Sequence, residues 1–213
     1  MTHIDHIFIF PRNLGELQRR LQNAGLEPSF QREHPGQGTA NVCYCFDNLY
    51  LELLWVTDAA ARLNPQVART ALIERGTGTT SACPVGIAWR DGPGRPLELE
   101  TWNYTAPFLP AGFSIAVAFE STDPQAPFIF RSPGTSPPTD WRDGRQGNMQ
   151  RAAGITTVEE VVLEYPVDRR PGSALTEMTK HTILTLEPGR RWSFSLWLER
   201  RDHAGPLLLD DIC

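Results

Sequence analysis

The sequence predicts an α+β fold that opens on a β-α-β-β-β unit. Three observations predict it. Residues 3–56 follow the order strand, helix, strand, strand, strand. Residues 39–46 alternate between polar and apolar side chains, the period of a strand with two unlike faces. Beyond residue 83, four short strand patterns recur with no good helix pattern between them.

The first strand, 3–10, is rich in Ile and Phe. A regular strand puts Ile4, His6, Phe8 and Phe10 on one face and His3, Asp5, Ile7 and Ile9 on the other. Pro11 and Asn13 then start a helix, since Pro tolerates a helix start and Asn caps one well. Leu14, Leu17, Leu21 and Ala24 recur at helical spacing, and Gly25 ends the helix. A short strand at 28–33 leads into the turn His34-Pro-Gly-Gln-Gly38. In 39–46, Ala40, Val42, Tyr44 and Phe46 share one face, and Thr39, Asn41, Cys43 and Cys45 share the other. Asp47-Asn48 is a tight turn before 49–56, a nearly continuous apolar strand interrupted by Glu52.

Residues 59–63 and 67–74 suit short helices, and 76–81 is a flexible link. Strands follow at 84–90, 97–102, 113–119 and 126–131, then a Pro-, Gly- and Asp-rich surface loop at 132–148. A strand at 156–165, a short helix at 172–179 and an expected hairpin of 181–186 with 191–199 come next. Phe10-Pro11 and Tyr165-Pro166 both close a strand before a helix, a faint sign of internal repetition. The tail, 202–213, is expected to pack through Leu207, Leu208 and Leu209.

Composition narrows the function classes. The 213 residues are 40% apolar and 21% charged, the range of a soluble globular protein. A net charge of −5 with scattered basic residues argues against nucleic-acid binding; the pairs Arg190-Arg191 and Arg200-Arg201 suit solvated turns or strand ends. No apolar run approaches the roughly 20 residues of a membrane span. MTHIDHIFIF has no basic region and no cleavage pattern, so the cytoplasm is the expected location. Four cysteines without a CxxC pair suggest neither a disulfide framework nor a zinc ribbon. There is no GxSxG, no HExxH, and Gly76-x-Gly78 lacks the strand-turn-helix context of a nucleotide fingerprint.

The stretches Ile4-Asp-His-Ile7, Pro11-Arg-Asn-Leu14, Ala24-Gly-Leu26, His34-Pro-Gly-Gln-Gly-Thr-Ala-Asn41 and Asn48-Leu-Tyr-Leu-Glu-Leu53 together resemble the glyoxalase-like domain family of the vicinal oxygen chelate superfamily. The segment 84–133 resembles its second module more loosely. The resemblance implies paired βαβββ modules whose curled mixed sheets enclose a cavity. The expected organisation is then a first module at 1–58, a linker at 59–82, a second, helix-poor module at 83–133, and a loop at 134–150. A strand-helix-hairpin segment at 151–213 would pack into the same domain. Whether modules pair within one chain or across a homodimer stays open.

In metal-dependent members of this superfamily a His on the first strand and a Glu on the last strand of a module bind a divalent ion, and the other module supplies an equivalent pair or part of one. His6 and Glu52 hold those positions, which makes them the expected catalytic residues and metal ligands. The ligand set is incomplete, because Gly86 stands where the second His would be and the matching last-strand position falls near Phe128–Phe130. Glu199 and Glu160 are the remaining candidates. Two readings stay open: a bound divalent metal, or a hydrogen-bonded His6–Glu52 pair without one. Glu52 between Leu51 and Leu53 needs a partner in either case, since burying a lone carboxylate is costly.

His34, Thr39, Asn41 and Trp55 are the expected substrate-binding residues, with Trp89, Trp102 and Tyr104 further aromatic candidates. Each also has a plain reading: His34 as a turn residue, Thr39 and Asn41 as an edge-strand face, the aromatics as core. Cys43 and Cys45 suit small apolar fillers better than nucleophiles. The resemblance implies an enzyme of lyase or isomerase type acting on a small oxygenated molecule. The alternative is a non-catalytic protein of the same fold that binds or sequesters a small molecule.

Overall fold

The computed structural model describes residues 2–78, 81–94, 96–200 and 205–208. Strand β1 (Thr2–Ile9) leads into helix α1 (Leu14–Asn23), then β2 (Phe30–His34), β3 (Thr39–Cys45) and β4 (Tyr50–Val56). Asn13 caps α1 by accepting the Glu16 N–H at 3.1 Å. Two short helices follow, α2 (Pro65–Ala68) and α3 (Leu72–Thr77). The second module contributes β5 (Val85–Asp91), β6 (Thr101–Tyr104), β7 (Ile115–Ala118) and β8 (Phe128–Arg131). The last segment holds β9 (Ile155–Pro166), α4 (Ser173–His181), β10 (Leu184–Gly189), β11 (Ser193–Arg200) and β12 (Gly205–Leu208).

Eight strands form one mixed sheet in the order β2-β3-β4-β1-β5-β8-β7-β6. Each module has the same pattern, with its first strand parallel to its last: β1 with β4, and β5 with β8. The modules meet where β1 and β5 pair antiparallel, so they join within one chain. The sheet curls without closing into a barrel. The second module carries no helix between β5 and β6 among the described residues.

One face of this sheet is covered by α1 and by a second sheet, β10-β9-β11-β12. Ile4, Ile7, Ile9, Leu17, Leu21, Leu51, Leu53, Ile87 and Trp89 join Val161, Leu163, Leu175, Met178, Phe194 and Leu196 in one buried cluster. Fully burying each such aliphatic side chain contributes roughly 1.5–3 kcal/mol before the cost of ordering it. The opposite face curls around a cavity, whose apolar end is a second cluster including Phe8, Leu54, Tyr104, Phe128 and Phe130. This separation of faces frees the inner one for polar side chains.

Two sequence expectations change here. The pair 181–186 and 191–199 is no hairpin. β10 and β11 lie on opposite sides of β9, β10 parallel to it and β11 antiparallel. The long, apolar β9 uses both of its edges, and α4 carries the chain across to reach the parallel position. The regular alternation in β1 also breaks. Ile4 pairs with Trp89 and His6 with Ala88, which leaves Asp5 as an extra residue in a β-bulge. Ile4 therefore joins Ile7 and Ile9 on the outer face, and Asp5 joins His6 at the cavity. Of the tail expected to pack through its leucines, only the backbone of β12 falls among the described residues; Leu209 lies outside them.

Arg75 ties the linker to the second module. Its buried guanidinium meets no carboxylate among the described residues and donates instead to carbonyls: Cys83 at 3.1 Å, Ala126 at 2.5 Å, Ser121 at 3.1 Å and Asp123 at 3.2 Å. Burial pulls its pKa down to about 10, so it stays charged at neutral pH. No helix among the described residues is long and apolar enough to cross a membrane. Arg75→Met should leave these carbonyls without their donor and lower unfolding stability by about 2–4 kcal/mol. Urea denaturation measures this, and an unchanged midpoint would show that Arg75 is not a structural tie.

Candidate functional site

The cavity has a volume of about 190 Å³ and is walled by both modules. Its polar floor comes from neighbouring strands. β1 supplies Asp5 and His6, β4 supplies Tyr50 and Glu52, and β3 supplies Asn41, whose strand pairs Cys43 with Glu52. Asp5, His6 and Glu52 are 4%, 5% and 6% exposed, so each depends on its partners for polar contacts.

Those partners form a line. His6 Nδ1 lies 2.8 Å from Asp5 Oδ2, and His6 Nε2 lies 3.4 Å from Glu52 Oε2. A carboxylate can only accept, so Nδ1 carries a proton and donates it to Asp5. Nε2 is then the ring atom turned toward Glu52. Asp5 is braced from behind by Arg90, whose Nη1 lies 3.5 Å from Oδ1 and donates to the Ile4 carbonyl at 3.0 Å. Burial alone would push the Asp5 carboxyl up. The hydrogen bond and charge of His6, with Ser132 and Arg90, outweigh it and hold Asp5 below its ordinary range. The His6 ring also stacks on Tyr50, centroids 4.4 Å apart, and meets the Phe130 ring edge-on at 5.3 Å. These contacts fix the imidazole plane.

A second chain of hydrogen bonds approaches Glu52 from the other side. Asn41 Nδ2 donates to Glu52 Oε1, and the same amide nitrogen faces His34 Nε2 at 3.5 Å. Nε2 of His34 is thus the acceptor, and Nδ1 donates to Thr39 Oγ1 at 2.9 Å. Thr39 Oγ1 also accepts from Gln37 Nε2 at 2.8 Å, and Gln37 Oε1 accepts from the Tyr104 hydroxyl at 2.7 Å. A neutral His34 suits this network. Burial pushes its pKa down, against the pull of Glu52 and with help from Arg32 and His6. Gly38, at φ +74° in the turn before β3, admits no Cβ because the Asp58 carbonyl and Ala61 crowd it.

Of the residues expected from sequence, His6, Glu52, His34 and Asn41 line the cavity, and Thr39 sits just behind His34. Trp55 does not reach it. Trp55 pairs with Ala40 and packs against the outer core, beside Leu51 and Leu53. Trp89 is also outer core, and Trp102 lies in the second cluster under the Arg69 guanidinium, 4.1 Å from its ring centroid. Tyr104 does line the cavity. Asp5, Gln37, Tyr50 and Trp141 were not singled out by sequence as site residues. Trp141 comes from the loop expected to lie on the surface, yet it is buried with its ring 5.6 Å from that of Tyr50. The thiols of Cys43 and Cys45 are buried, and burial pushes both pKa values up, Cys45 to about 12. Neither is a nucleophile at neutral pH.

The residues present do not fit a catalytic divalent ion. Such an ion commonly takes three protein ligands or more, and on this floor only His6 and Glu52 converge, while Asp5 is turned to the other ring nitrogen of His6. The second-module positions that would complete the set are Gly86 and Phe130: Gly86 pairs with Phe128 as His6 pairs with Tyr50, and Phe130 stands two residues further on, as Glu52 does. The Phe8 ring fills the space in which any Cβ at Gly86 would have to sit. Glu160 and Glu199 lie on the second sheet, bonded to Thr185 and Thr156. Among the described residues, no group of three or more His, Cys, Asp or Glu side chains could hold a metal ion.

Residues 4–179 match a family model described as a glyoxalase-like domain. The match runs through both modules and β9 and ends inside α4. No curated protein matches the chain. Among solved structures, a hypothetical protein from Bacillus halodurans C-125 is similar at 13% identity and a TM-score of 0.37, over 63% of this chain and 97% of that one.

The lowered pKa of His34 sets a pH dependence. The unfolded histidine takes up its proton near 6.5, whereas the folded one resists until lower pH. The stabilisation is therefore complete above pH 6.5 and is lost as pH falls through the folded value. His34→Gln should flatten the loss of stability between pH 7.5 and 5.5, roughly one unit either side of the ordinary histidine value. Chemical denaturation at both pH values checks this; an equally steep loss in the variant would contradict it.

Proposed function

The chain belongs to the glyoxalase-like domain family, and from that premise we propose that it is an enzyme moving a proton on a small oxygenated molecule, as a lyase or isomerase does. The observation that carries this reading is the line Asp5–His6–Glu52 at the floor of an aromatic-walled cavity. In this reading His6 and Glu52 are the catalytic residues, and Asp5 and Asn41 position them.

The chemistry follows from the hydrogen bonds. Asp5 holds the Nδ1 proton, so Nε2 is the atom available to a ligand. Nε2 and Glu52 Oε2 converge, and in this reading His6 begins the step with a proton on each nitrogen, Nδ1–H bonded to Asp5 and Nε2–H facing the Glu52 carboxylate. A substrate seated above the pair meets a carboxylate and an N–H side by side. The carboxylate removes a proton from carbon, the electron pair moves onto the adjacent oxygen, and Nε2–H protonates that oxygen. Returning a proton to a different carbon isomerises the substrate; losing a neighbouring group instead gives elimination. Asn41 keeps one Glu52 oxygen occupied and leaves Oε2 for this work. Phe8, Phe128 and Phe130 would receive an apolar portion of the substrate and keep water away.

A second reading is a non-catalytic binding protein. The filling of the second-module positions by Gly86, Phe8 and Phe130 favours it, because that half of the cavity offers packing and no acid–base side chain. The two readings separate in one experiment. Small hydroxycarbonyl compounds that raise the melting temperature are incubated with the protein in D2O, and exchange of the carbon-bound proton is followed by NMR. Enzyme chemistry predicts exchange that falls about 10²–10⁴-fold in His6→Ala and in Glu52→Gln, with Asp5→Asn intermediate. Binding without exchange in the wild-type protein would favour the second reading, and exchange unchanged in both variants would remove His6 and Glu52 from the site.

A further inference from the structure

We propose that a groove on the other side of Phe10 is a second ligand site, built for a small molecule that carries a di- or polyphosphate. The groove has a volume of about 700 Å³, more than the cavity itself. Phe8 lines the cavity and Phe10 lines the groove, and their rings meet edge-on with centroids 5.8 Å apart. The two spaces are therefore separated by packed aromatic side chains, and the groove is not an extension of the acid–base floor.

Three segments far apart in sequence bring arginines to it. Arg12 precedes α1, Arg169 follows β9, and Arg190 and Arg191 occupy the turn between β10 and β11. The chain as a whole carries a net charge of −5, so this gathering runs against its average. Among the described residues lining the groove, Asp168 is the one acid; Asp123, outside the lining, lies 3.6 Å from Arg169. Arg75 also touches the groove, but its guanidinium is committed to backbone carbonyls. Among the described residues, the positive charge of Arg12, Arg169 and Arg190 is thus only partly balanced.

The side-chain chemistry selects phosphate. A single carboxylate needs one guanidinium, whereas several planar donor forks around a large volume match oxygens spread over linked phosphates. Thr77 and Ser81 add hydroxyl groups at the rim. Phe10, Pro11, Pro84, Pro166 and Trp192 give the groove an apolar side. The Trp192 indole is held in place by its bond to the Gln125 carbonyl at 2.9 Å. A charged wall beside a fixed apolar one is the arrangement of a small-molecule phosphate site more than of a featureless basic surface.

Calorimetric titration with inorganic pyrophosphate, ADP and adenosine tests the assignment. Pyrophosphate and ADP should bind saturably, more weakly as ionic strength rises, and adenosine should not bind. Arg12→Ala and Arg190→Ala, both at exposed positions, should each weaken pyrophosphate binding about tenfold or more. His6→Ala should leave it unchanged, which separates this site from the cavity. Absence of saturable binding by both phosphate probes would overturn the proposal. So would binding that both arginine variants retain in full, or an acidic hexapeptide that binds more tightly than pyrophosphate.

Discussion

The hydrogen bond between Asp5 and His6 depends on one extra residue in β1. In a regular strand, neighbouring side chains point to opposite faces, and these two could not share a cavity. The bulge at Asp5 puts both on the inner face and returns Ile7 and Ile9 to the outer core. It also disturbs the ladder, and the second module repairs the damage. Arg90 of β5 donates to the Ile4 carbonyl and to Asp5, and its other nitrogen reaches the Asn48 carbonyl at 2.9 Å. A feature of the first module's first strand is therefore held in place by the strand that joins the modules. The direction in which His6 Nε2 points follows from that arrangement.

The rest of the architecture supplies what such a floor requires. Polar side chains can occupy the inner face because the outer face buries α1 and the second sheet. The two modules repeat their strand order but not their chemistry. Where the first has His6 and Glu52, the second has Gly86 and Phe130, and Phe8 fills the space beside Gly86. One half of the cavity is thus an acid–base surface and the other an apolar wall. That asymmetry disfavours a shared metal and suits a ligand with one oxygenated end.

Much of the first module was legible in the sequence. Helix α1 showed its cap at Asn13 and its apolar spacing, and the alternation of residues 39–46 gave the inner face of β3 correctly, with Thr39 and Asn41 beside His34. The bulge was not legible, because Ile4, His6 and Phe8 fit a regular alternation as well as the real one. The one hint was a charged Asp5 on the face that carries Ile7 and Ile9. Trp55 lies against the outer core, and the sequence held the reason: Glu52 and Trp55 are three residues apart in one strand, so they face opposite ways. The arrangement of β10 and β11 depends on which edge of β9 each one takes, a choice made by tertiary packing. Trp141 hid in a loop whose Pro and Gly content suggested exposure, and nothing local marks it as the residue that packs on Tyr50.

The account rests on the proton that His6 Nδ1 gives to Asp5, leaving Nε2 for Glu52 and for the ligand. Nitrogen-15 NMR of the His6 ring, assigned with a His6→Gln sample, reads that proton directly. The account predicts a protonated Nδ1 whose hydrogen-bonded signal moves in Asp5→Asn. A ring protonated on Nε2 alone, with an Nδ1 signal indifferent to Asp5, would contradict it.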